Sequence, residues 1–204
     1  MLLELSRLEV GPWPMNCYLV RCPTTGEVAI VDPGADASAI LAAVDHEHVR
    51  WILLTHGHLD HVGALETLRT AMDASVGIHP ADTEAFDLQA DFALVDGTDL
   101  KLGRGLVKVV HVPGHTPGSV CLRLNGRAIV GDAIFPGGPG HTVSPEALDQ
   151  SLESLRRTVF SWPDATELYP GHGAHTTVGA ERAAFEQFLT AERSNDLCGD
   201  VSWR

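Results

Sequence analysis

Short apolar runs and alternating apolar and polar residues dominate the first half of the chain, a pattern that favours β-strands. Residues 2–10 alternate with a period of two, as expected for a half-buried strand. Helical spacing of apolar residues follows several of the predicted strands, and Asp36 is positioned to cap the first predicted helix. The predicted strands cover 2–10, 17–21, 28–31, 51–54 and 76–79, and the predicted helices cover 37–44, 62–71 and 81–86.

A second strand-rich series begins near residue 99 and ends in two longer helices. Asn125-Gly126 is a hairpin turn signal, and Ser144 followed by Pro145 marks a helix start. The predicted strands cover 99–102, 106–112, 119–124, 127–130 and 167–169, and the predicted helices cover 145–160 and 178–190. Two such halves predict two packed sheets with helices outside. We assign residues 1–193 to one domain and 194–204 to a C-terminal tail without periodicity.

The composition of the chain limits which binding partners and which cellular compartment we expect for the protein. The 204 residues carry a net charge of −13 without a Lys/Arg cluster, which argues against a nucleic-acid partner. No apolar window is long enough to span a membrane, and residues 1–7 do not resemble a signal peptide. Four cysteines without CxxC spacing indicate free thiols in a reducing compartment. We expect a cytoplasmic monomer or homodimer that binds neither nucleic acid nor a membrane.

The segment Thr-His-Gly-His-Leu-Asp-His, residues 55–61, concentrates metal-binding side chains directly after a predicted strand. Imidazole and carboxylate are donors that zinc, iron and manganese accept. In an extended turn, His56 and His58 point the same way and could share one ion, whereas Asp60 and His61 could face a second. A loop of solvated histidines is the alternative, and this density of donors disfavours it.

Three later positions repeat the placement of a donor at a strand end. His115 in Pro-Gly-His-Thr, Asp132 in Gly-Asp and His172 in Pro-Gly-His-Gly each follow a predicted strand. Glycine beside each donor permits a tight turn and a close approach to a ligand. Each of the three has an ordinary structural role when taken alone. Together with the first segment they give seven donors at strand ends, which predicts a metal site at one edge of a sheet.

Taken in order, the motifs His-x-His-x-Asp-His, Pro-Gly-His-Thr, Gly-Asp and Pro-Gly-His-Gly resemble the metallo-β-lactamase superfamily. The resemblance is closest to short, single-domain bacterial hydrolases of the glyoxalase II type, which are similar to hydroxyacylglutathione hydrolases. It implies an α+β fold, a four-layer αββα sandwich, with two divalent metal ions on one edge. The implied ligands are His56, His58 and His115 for the first ion, Asp60, His61 and His172 for the second, and Asp132 as a bridge between them.

The resemblance also implies the chemistry. Zinc is the expected metal, with iron or manganese as alternatives, and two such ions about 3.5–4 Å apart lower the pKa of a bridging water. The hydroxide would attack the carbonyl of a thioester, or of a related ester or lactone. Asp60 and Asp132 are the carboxylates that we assign to catalysis. Two divalent ions outweigh these carboxylates and one hydroxide in charge, so we expect an anionic small-molecule substrate or a thiolate leaving group.

Three departures from the family pattern narrow the function. The commonest metal-dependent β-lactamases have cysteine where this chain has Asp132, which argues against a dedicated β-lactamase. Glyoxalase II proper has a C-terminal helical domain that binds glutathione, and too little chain follows His172 to form it. Relatives usually carry Gly-x-Gly-Arg where this chain has Gly-Pro-Gly-His at 138–141, which argues against a glutathione thioester preference.

Other interpretations stay open. A mononuclear iron dioxygenase acting on glutathione persulfide is the alternative enzyme, since that family resembles this one and keeps most of the motif. A non-catalytic metal-binding module is a third interpretation, and the intact set of donors argues against it. His141 and His175 lie in loops near ligand-bearing turns and are candidates for substrate binding. We expect packing or ligand-supporting roles for His79 and His111, and a structural turn role for Asp32.

Overall fold

Two mixed six-stranded β-sheets with helices on their outer faces form the chain in the computed structural model, which describes residues 2–203. The first half contains β1 (Glu4–Val10), β2 (Met15–Arg21), β3 (Glu27–Val31), α1 (Ala37–Ala43), β4 (His48–Leu53), α2 (Leu59–Val62), α3 (Leu65–Ala71), β5 (Ser75–Ile78), α4 (Pro80–Ala85) and β6 (Phe92–Ala93). The second half contains β7 (Asp99–Leu102), β8 (Gly105–His111), β9 (Val120–Leu124), β10 (Arg127–Gly131), β11 (Ile134–Phe135), β12 (Gly138–Pro139), α5 (Pro145–Arg157), β13 (Glu167–Pro170), β14 (Thr176–Thr177) and α6 (Val178–Thr190).

The strand order is β1-β2-β3-β4-β5-β6 in the first sheet and β14-β13-β10-β9-β8-β7 in the second. From β3 to β6 neighbouring strands are parallel, and in the second sheet only β10 and β13 pair in parallel. Parallel neighbours require a crossover, which α1 supplies between β3 and β4 and α5 between β10 and β13. The small hairpin of β11 and β12 lies outside both sheets.

Strand residues divide alternately between two apolar cores, because successive side chains point to opposite faces. On β3, Val28 and Ile30 pack with the residues of α1 and α3, while Ala29 and Val31 pack with the second sheet. On β10, Ile129 faces the same inter-sheet core. A strand that is buried on both faces has a continuous run of apolar residues, which is why these strands could be predicted from the sequence. The αββα sandwich predicted from the sequence is confirmed.

Helices α5 and α6 cover the outer face of the second sheet through a third apolar cluster that includes Leu152, Leu155 and Phe185. The predicted cap of α5 is present, since Ser144 Oγ accepts a hydrogen bond from the backbone N–H of Ala147 at 3.2 Å. The helix ends at Arg157, and a single 3-10 turn, Val159–Ser161, follows it. Within residues 2–203 no helix is long and apolar enough to cross a membrane.

The helix predicted over 62–71 is wrong at its start, because the structure has the two short helices α2 and α3 there. Gly63 lies between them and approaches the neighbouring loop so closely that a Cβ would be 2.3 Å from the carbonyl oxygen of Gly34. The N–H of Ala64 also donates to the carbonyl of Pro33 at 2.9 Å. Residues 60 and 61 therefore lie in a helical turn, not in the turn before the helix.

Two further expectations differ from the structure. Asp36 does precede α1, but its backbone is left-handed (φ 51°) and its side chain makes no helix-capping hydrogen bond. Its carboxylate instead accepts from the N–H of Gly11 at 2.8 Å and so holds the loop between β1 and β2. The two-residue strands β6, β11, β12 and β14 were not predicted, since two residues cannot show a period.

The described part of the C-terminal tail, residues 194–203, packs against the second half of the chain although it has no periodicity. Trp203 belongs to the third apolar cluster, and its indole Nε1 donates to Glu181 Oε2 at 3.1 Å. Its backbone N–H donates to the carbonyl of Gly137 at 2.9 Å, and Gly199 pairs with Thr142 in an isolated bridge. The domain boundary drawn at residue 193 stays a prediction.

Candidate metal centre

The loops that follow β4, β8, β10 and β13 meet at one edge of the sandwich. Hydrogen bonds join the two sheets there, from the N–H of Val120 to the carbonyl of Thr55 at 2.9 Å and from the N–H of Asn16 to the carbonyl of Gly171 at 2.6 Å. The donors that the sequence predicted all lie at this edge, and neighbouring ones are close enough to share an ion. They are His56, His58, Asp60, His61, His115, Asp132 and His172.

The first group of donors is a triangle of ring nitrogens. His56 Nε2 lies 3.1 Å from His58 Nδ1, and His115 Nε2 lies 3.2 Å and 3.0 Å from these two atoms. Tetrahedral zinc with Zn–N bonds of 2.0–2.1 Å would place its nitrogen ligands about 3.3 Å apart. The triangle therefore has nearly the spacing that a single ion requires.

The surroundings of these three rings favour their neutral forms. Burial is the main cause of a lowered pKa at His56, His58 and His115, and neighbouring imidazoles lower the pKa of each ring further. The Nδ1 atom of His115 faces the carbonyl oxygen of His141 at 2.8 Å, and a carbonyl can only accept, so Nδ1 carries the proton. Nε2 of His115 then presents its lone pair to the triangle, as metal binding requires.

The second group combines Asp60, His61 and His172. Asp60 Oδ2 lies 3.1 Å from His172 Nε2, and His172 Nδ1 faces the carbonyl oxygen of Pro14 at 3.1 Å. His61 is fully buried, whereas the side chains of Asp60 and His172 are 45% and 30% exposed. The centre is therefore closed on the His56 and His61 side and open to solvent on the Asp60 and His172 side.

Asp132 lies between the two groups. Its Oδ1 is 3.3 Å from His61 Nε2, and its Oδ2 is 3.9 Å from His115 Nε2 and 3.8 Å from His172 Nε2. Asp132 Oδ1 and His61 Nε2 are buried and make no hydrogen bond, which is costly unless a further group binds them. A cation between the groups fits this need. Gly171 leaves room for it, since a Cβ there would lie 2.3 Å from Asp132 Oδ1.

Asp32 holds the ring of His61 from the opposite side. Its Oδ2 lies 3.1 Å from His61 Nδ1 and accepts from Thr55 Oγ1 at 2.6 Å, and its Oδ1 accepts from the N–H of Thr55 at 2.7 Å. Burial opposes protonation of His61, but its contacts with Asp132 and Asp32 outweigh burial and raise the pKa of His61 to about 10. A metal ion on Nε2 would replace that proton, because metal binding requires the neutral ring.

A buried carboxylate on α4 ties together the two loops that supply the first group. Asp82 Oδ2 accepts from the N–H of Gly57 at 2.9 Å and from Thr116 Oγ1 at 2.8 Å, and Asp82 Oδ1 accepts from the N–H of Gly118 at 2.6 Å. Gly57 lies between His56 and His58 in the sequence, and Thr116 follows His115. Asp82 therefore fixes the separation of these loops without facing the donors itself.

The role of Asp82 was not predicted from the sequence, and Asp32 was predicted only to form a turn. Asp32 does end β3 in a left-handed conformation (φ 52°), as a turn residue can, but it also orients His61. The repeat of Ala-Ile-Val before Asp32 and of Ala-Ile-Val-Gly before Asp132 was the available signal for it. Asp82 had no comparable signal, because an acidic residue in the first turn of a helix is ordinary.

The other histidines lie outside the two groups. The ring of His141 is exposed and its Nδ1 lies 3.0 Å from Asp200 Oδ1, while its carbonyl orients His115. The ring of His175 is exposed and stacks on Tyr169 with the ring centroids 5.4 Å apart. His79 and His111 stack on each other with the ring centroids 4.0 Å apart. Substrate binding by His141 or His175 stays a prediction.

The αββα sandwich and the histidines and carboxylates at one of its edges are the features of a class of metal-binding proteins. The chain belongs to the metallo-β-lactamase superfamily, whose family model matches residues 10–172. A hydroxyacylglutathione hydrolase of Anaeromyxobacter dehalogenans is 38% identical over 159 residues, covering 76% of this chain but only 60% of that protein. The hydroxyacylglutathione hydrolase GloC of Haemophilus influenzae is 30% identical over 203 residues, covering 88% of this chain and 95% of that protein.

Solved structures agree with the family assignment. The BLEG-1 B3 metallo-β-lactamase matches with a TM-score of 0.81 and 27% identity over 92% of this chain and 100% of that one. TTHA1623 in a di-iron-bound form matches with a TM-score of 0.71 and 32% identity over 87% and 96% of the two chains. ETHE1 from Myxococcus xanthus matches with a TM-score of 0.76 and 26% identity over 89% and 82%.

Proposed function

We propose that the protein is a metal-dependent hydrolase of thioesters, or of related esters and lactones. The observation that carries the proposal is the buried pair of His61 Nε2 and Asp132 Oδ1, which lie 3.3 Å apart without a hydrogen bond inside the ring of donors. Superfamily membership and two relatives named hydroxyacylglutathione hydrolase support the reaction class.

The donor geometry supports two ion positions. The ligands we propose are His56, His58 and His115 for the first ion, Asp60, His61 and His172 for the second, and Asp132 as the bridge. When bound, two divalent ions supply an activated water near neutral pH and stabilise negative charge on a carbonyl oxygen. Asp60 and Asp132 would hold the ions and offset their mutual repulsion. Asp32 orients the ring of His61, and Asp82 holds together the two loops that carry the first group of histidines. Substrate approaches from the open side, where Asp60 and His172 face solvent.

We propose zinc as the native metal, with iron or manganese as alternatives that accept the same donors. The similarity to TTHA1623, which was solved in a di-iron-bound form, supports including iron in the comparison. Metal analysis of the purified protein tests the proposal, and two ions per chain are expected. A single ion per chain at saturating metal would contradict the two-ion site. The cytoplasmic location and the monomeric or homodimeric state stay predictions.

Glutathione thioesters should be hydrolysed without being strongly preferred. Recognition of the anionic glutathione tail needs cations outside the metal ligands, and the chain has only 14 Lys and Arg residues. The ring of His141, which stands where relatives usually have arginine, pairs with the carboxylate of Asp200 instead. Without such contacts the remote part of the substrate cannot help to position the carbonyl.

The experiment compares kcat/KM for S-lactoylglutathione with that for a short neutral thioester, in wild type and in His141→Arg. We expect wild type to prefer S-lactoylglutathione by less than about tenfold and His141→Arg to increase the preference by up to about fivefold, since an exposed ion pair contributes about 0.2–1 kcal/mol. A wild-type preference of several orders of magnitude would show that other residues recognise glutathione.

A mononuclear iron dioxygenase acting on persulfides is the second candidate. The similarity to the solved ETHE1, a persulfide dioxygenase, favours it. The group of Asp60, His61 and His172 favours the hydrolase, because it offers a complete second ion position next to the first. One iron per chain with oxygen uptake on glutathione persulfide would establish the dioxygenase, whereas two ions with thioester hydrolysis would establish the hydrolase.

A further inference from the structure

An apolar groove lies beside Asp60, one of the two solvent-exposed donors of the metal centre. It has a volume of about 540 Å³, within the range of about 300–1,000 Å³ that small-molecule sites occupy. The loop between β1 and β2 forms one wall, and the start of α2 forms the other. We call it the hairpin groove, and its lining residues are Val10, Gly11, Pro12, Trp13, Met15, Gly34, Ala35, Leu59, Asp60 and Gly63.

Two large apolar side chains of this groove face solvent. Trp13 is 79% exposed and Leu59 is 80% exposed, so folding of the chain alone gains almost nothing from either. Single exposed apolar residues are common on protein surfaces. Here the two line the same groove, and Leu59 directly precedes the candidate ligand Asp60.

The groove is tied to the metal centre and to the sheet behind it. The carbonyl of Pro14, next to Trp13, accepts from His172 Nδ1 at 3.1 Å, and Met15 pairs with His172 in an isolated bridge. At the other end of the loop, the N–H of Gly11 donates to Asp36 Oδ2 at 2.8 Å. The wall that carries Trp13 is therefore anchored at both ends, and one anchor is a candidate ligand of the second ion.

We propose that the hairpin groove binds the apolar acyl chain of the substrate, next to the carbonyl that reacts at the metal centre. This inference rests on the proposed hydrolase function. Asp60, a wall of the groove, is also one of the exposed donors, so a substrate whose carbonyl lies at the ions has the groove beside it. Burial of the chain against Trp13 and Leu59 would remove apolar surface of both partners from water.

The charge of the lining residues favours the acyl chain, and not the thiol leaving group, as the part of the substrate that binds in the groove. Among the lining residues, all of which belong to the described part of the chain, Asp60 is the only charged one and none is basic. A departing thiolate carries negative charge and finds no cation among the lining residues, since none is basic and the one carboxylate, Asp60, is a proposed metal ligand. An uncharged hydrocarbon chain suits such walls.

A second protein molecule fits the groove less well. A stable interface buries about 800 Å² on each partner, and its centre is apolar. Of the large apolar residues exposed between residues 2 and 203, only Trp13 and Leu59 line the groove. Two side chains offer much less apolar area than such an interface needs.

The test is a series of straight-chain acyl thioesters, from acetyl to octanoyl, of one neutral thiol. With the metal-loaded enzyme, kcat/KM should rise by up to about fourfold for each added methylene until the groove is full. Trp13→Ala and Leu59→Ala should each reduce the octanoyl-to-acetyl ratio of kcat/KM by about tenfold. Leu106→Ala, which removes an exposed apolar side chain on β8 outside the groove, is the matched control and should leave the ratio unchanged.

Three outcomes would overturn the acyl-chain assignment. They are an unchanged ratio in both groove variants, a dependence on the length of the thiol in place of the acyl chain, and a wild-type dimer that Trp13→Ala dissociates in sedimentation. If no thioester is hydrolysed, the proposed function is wrong. Binding of octanol then tests the groove independently of catalysis. Octanol binding that shifts the tryptophan fluorescence of wild type, and is lost in Leu59→Ala, would support the groove, whereas no shift would overturn it.

Discussion

Asp82 allows a sharp test of how the metal centre is held in place. It is fully buried on α4 and accepts three hydrogen bonds from the two loops that carry the first group of histidines. The change Asp82→Asn keeps the shape of the side chain but replaces one acceptor oxygen by an NH₂ group. In one orientation of the side chain the NH₂ group faces the N–H of Gly118. In the other it faces the N–H of Gly57 and the hydroxyl of Thr116. All three groups donate to Asp82 in the wild type.

The size of the effect follows from these contacts. A hydrogen bond to a charged group contributes about 1.5–3 kcal/mol, and leaving a buried donor unpaired costs about 1–3 kcal/mol. Asparagine also removes a buried charge, which offsets part of the loss. We expect the free energy of unfolding to fall by roughly 2–4 kcal/mol, and Tm to fall by roughly 5–15 °C for a chain of this length. Displacement of the loops should weaken metal binding at the first position by about tenfold.

Titration of metal-free protein with Zn²⁺, alongside thermal unfolding, separates a positioning role from a purely structural one. Asp91→Asn is the matched control, because Asp91 also ties a loop to a strand, accepting from the N–H of Val76 at 2.7 Å and from Arg69 at 2.8 Å. It should lower stability without changing metal affinity. If Asp82→Asn lowers Tm as expected but binds Zn²⁺ at the first position as tightly as wild type, the positioning role is refuted.

The remaining predictions concern the donors and the tail. Asp132→Ala should lose metal from both positions and His61→Ala mainly from the second, as measured by metal content after dialysis. Asp32→Asn keeps a residue that tolerates the left-handed backbone, and should weaken the second position about 10–100-fold in Zn²⁺ titration. Trp203→Ala should lower the free energy of unfolding by about 3–5 kcal/mol in denaturant titration, since it empties a buried site and removes the bond to Glu181. Unchanged metal content or stability in any of these variants would contradict the role assigned to that residue.

The positions of the strands and of the candidate metal ligands could be predicted because both depend on local sequence. The run over β3 reads as a buried strand since alternate residues face two different cores, and Asp32 marks its end. Each motif histidine is likewise fixed by the strand that precedes it. Features that depend on distant partners were not readable. Asp36 looks like a helix cap in the sequence, but the structure pairs it with Gly11 in another loop.

The residues that hold the metal centre and the tail in place also depend on contacts with distant parts of the sequence, so their roles could not be predicted. Asp82 acts on residues 57, 116 and 118, which lie on loops far apart in the sequence, and no local pattern records that meeting. The break between α2 and α3 depends on contact of Gly63 with the loop at Gly34, which periodicity cannot show. The tail has no period, yet one large side chain, Trp203, is enough to anchor it.

The donors come from both halves of the chain, four from residues 56–61 and three from residues 115, 132 and 172. Ions bound to this set would act as a reversible cross-link between the two sheets, whose contributing residues lie more than fifty positions apart in the sequence. Such a link stabilises the folded state by about 4.1 kcal/mol when free metal is 1,000 times its Kd, and by nothing when metal is absent. The amount of folded protein in a cell would then follow the metal supply, because proteases remove opened chains. Starvation for the native metal should shorten the lifetime of the protein, while other divalent ions that occupy the same donors restore it.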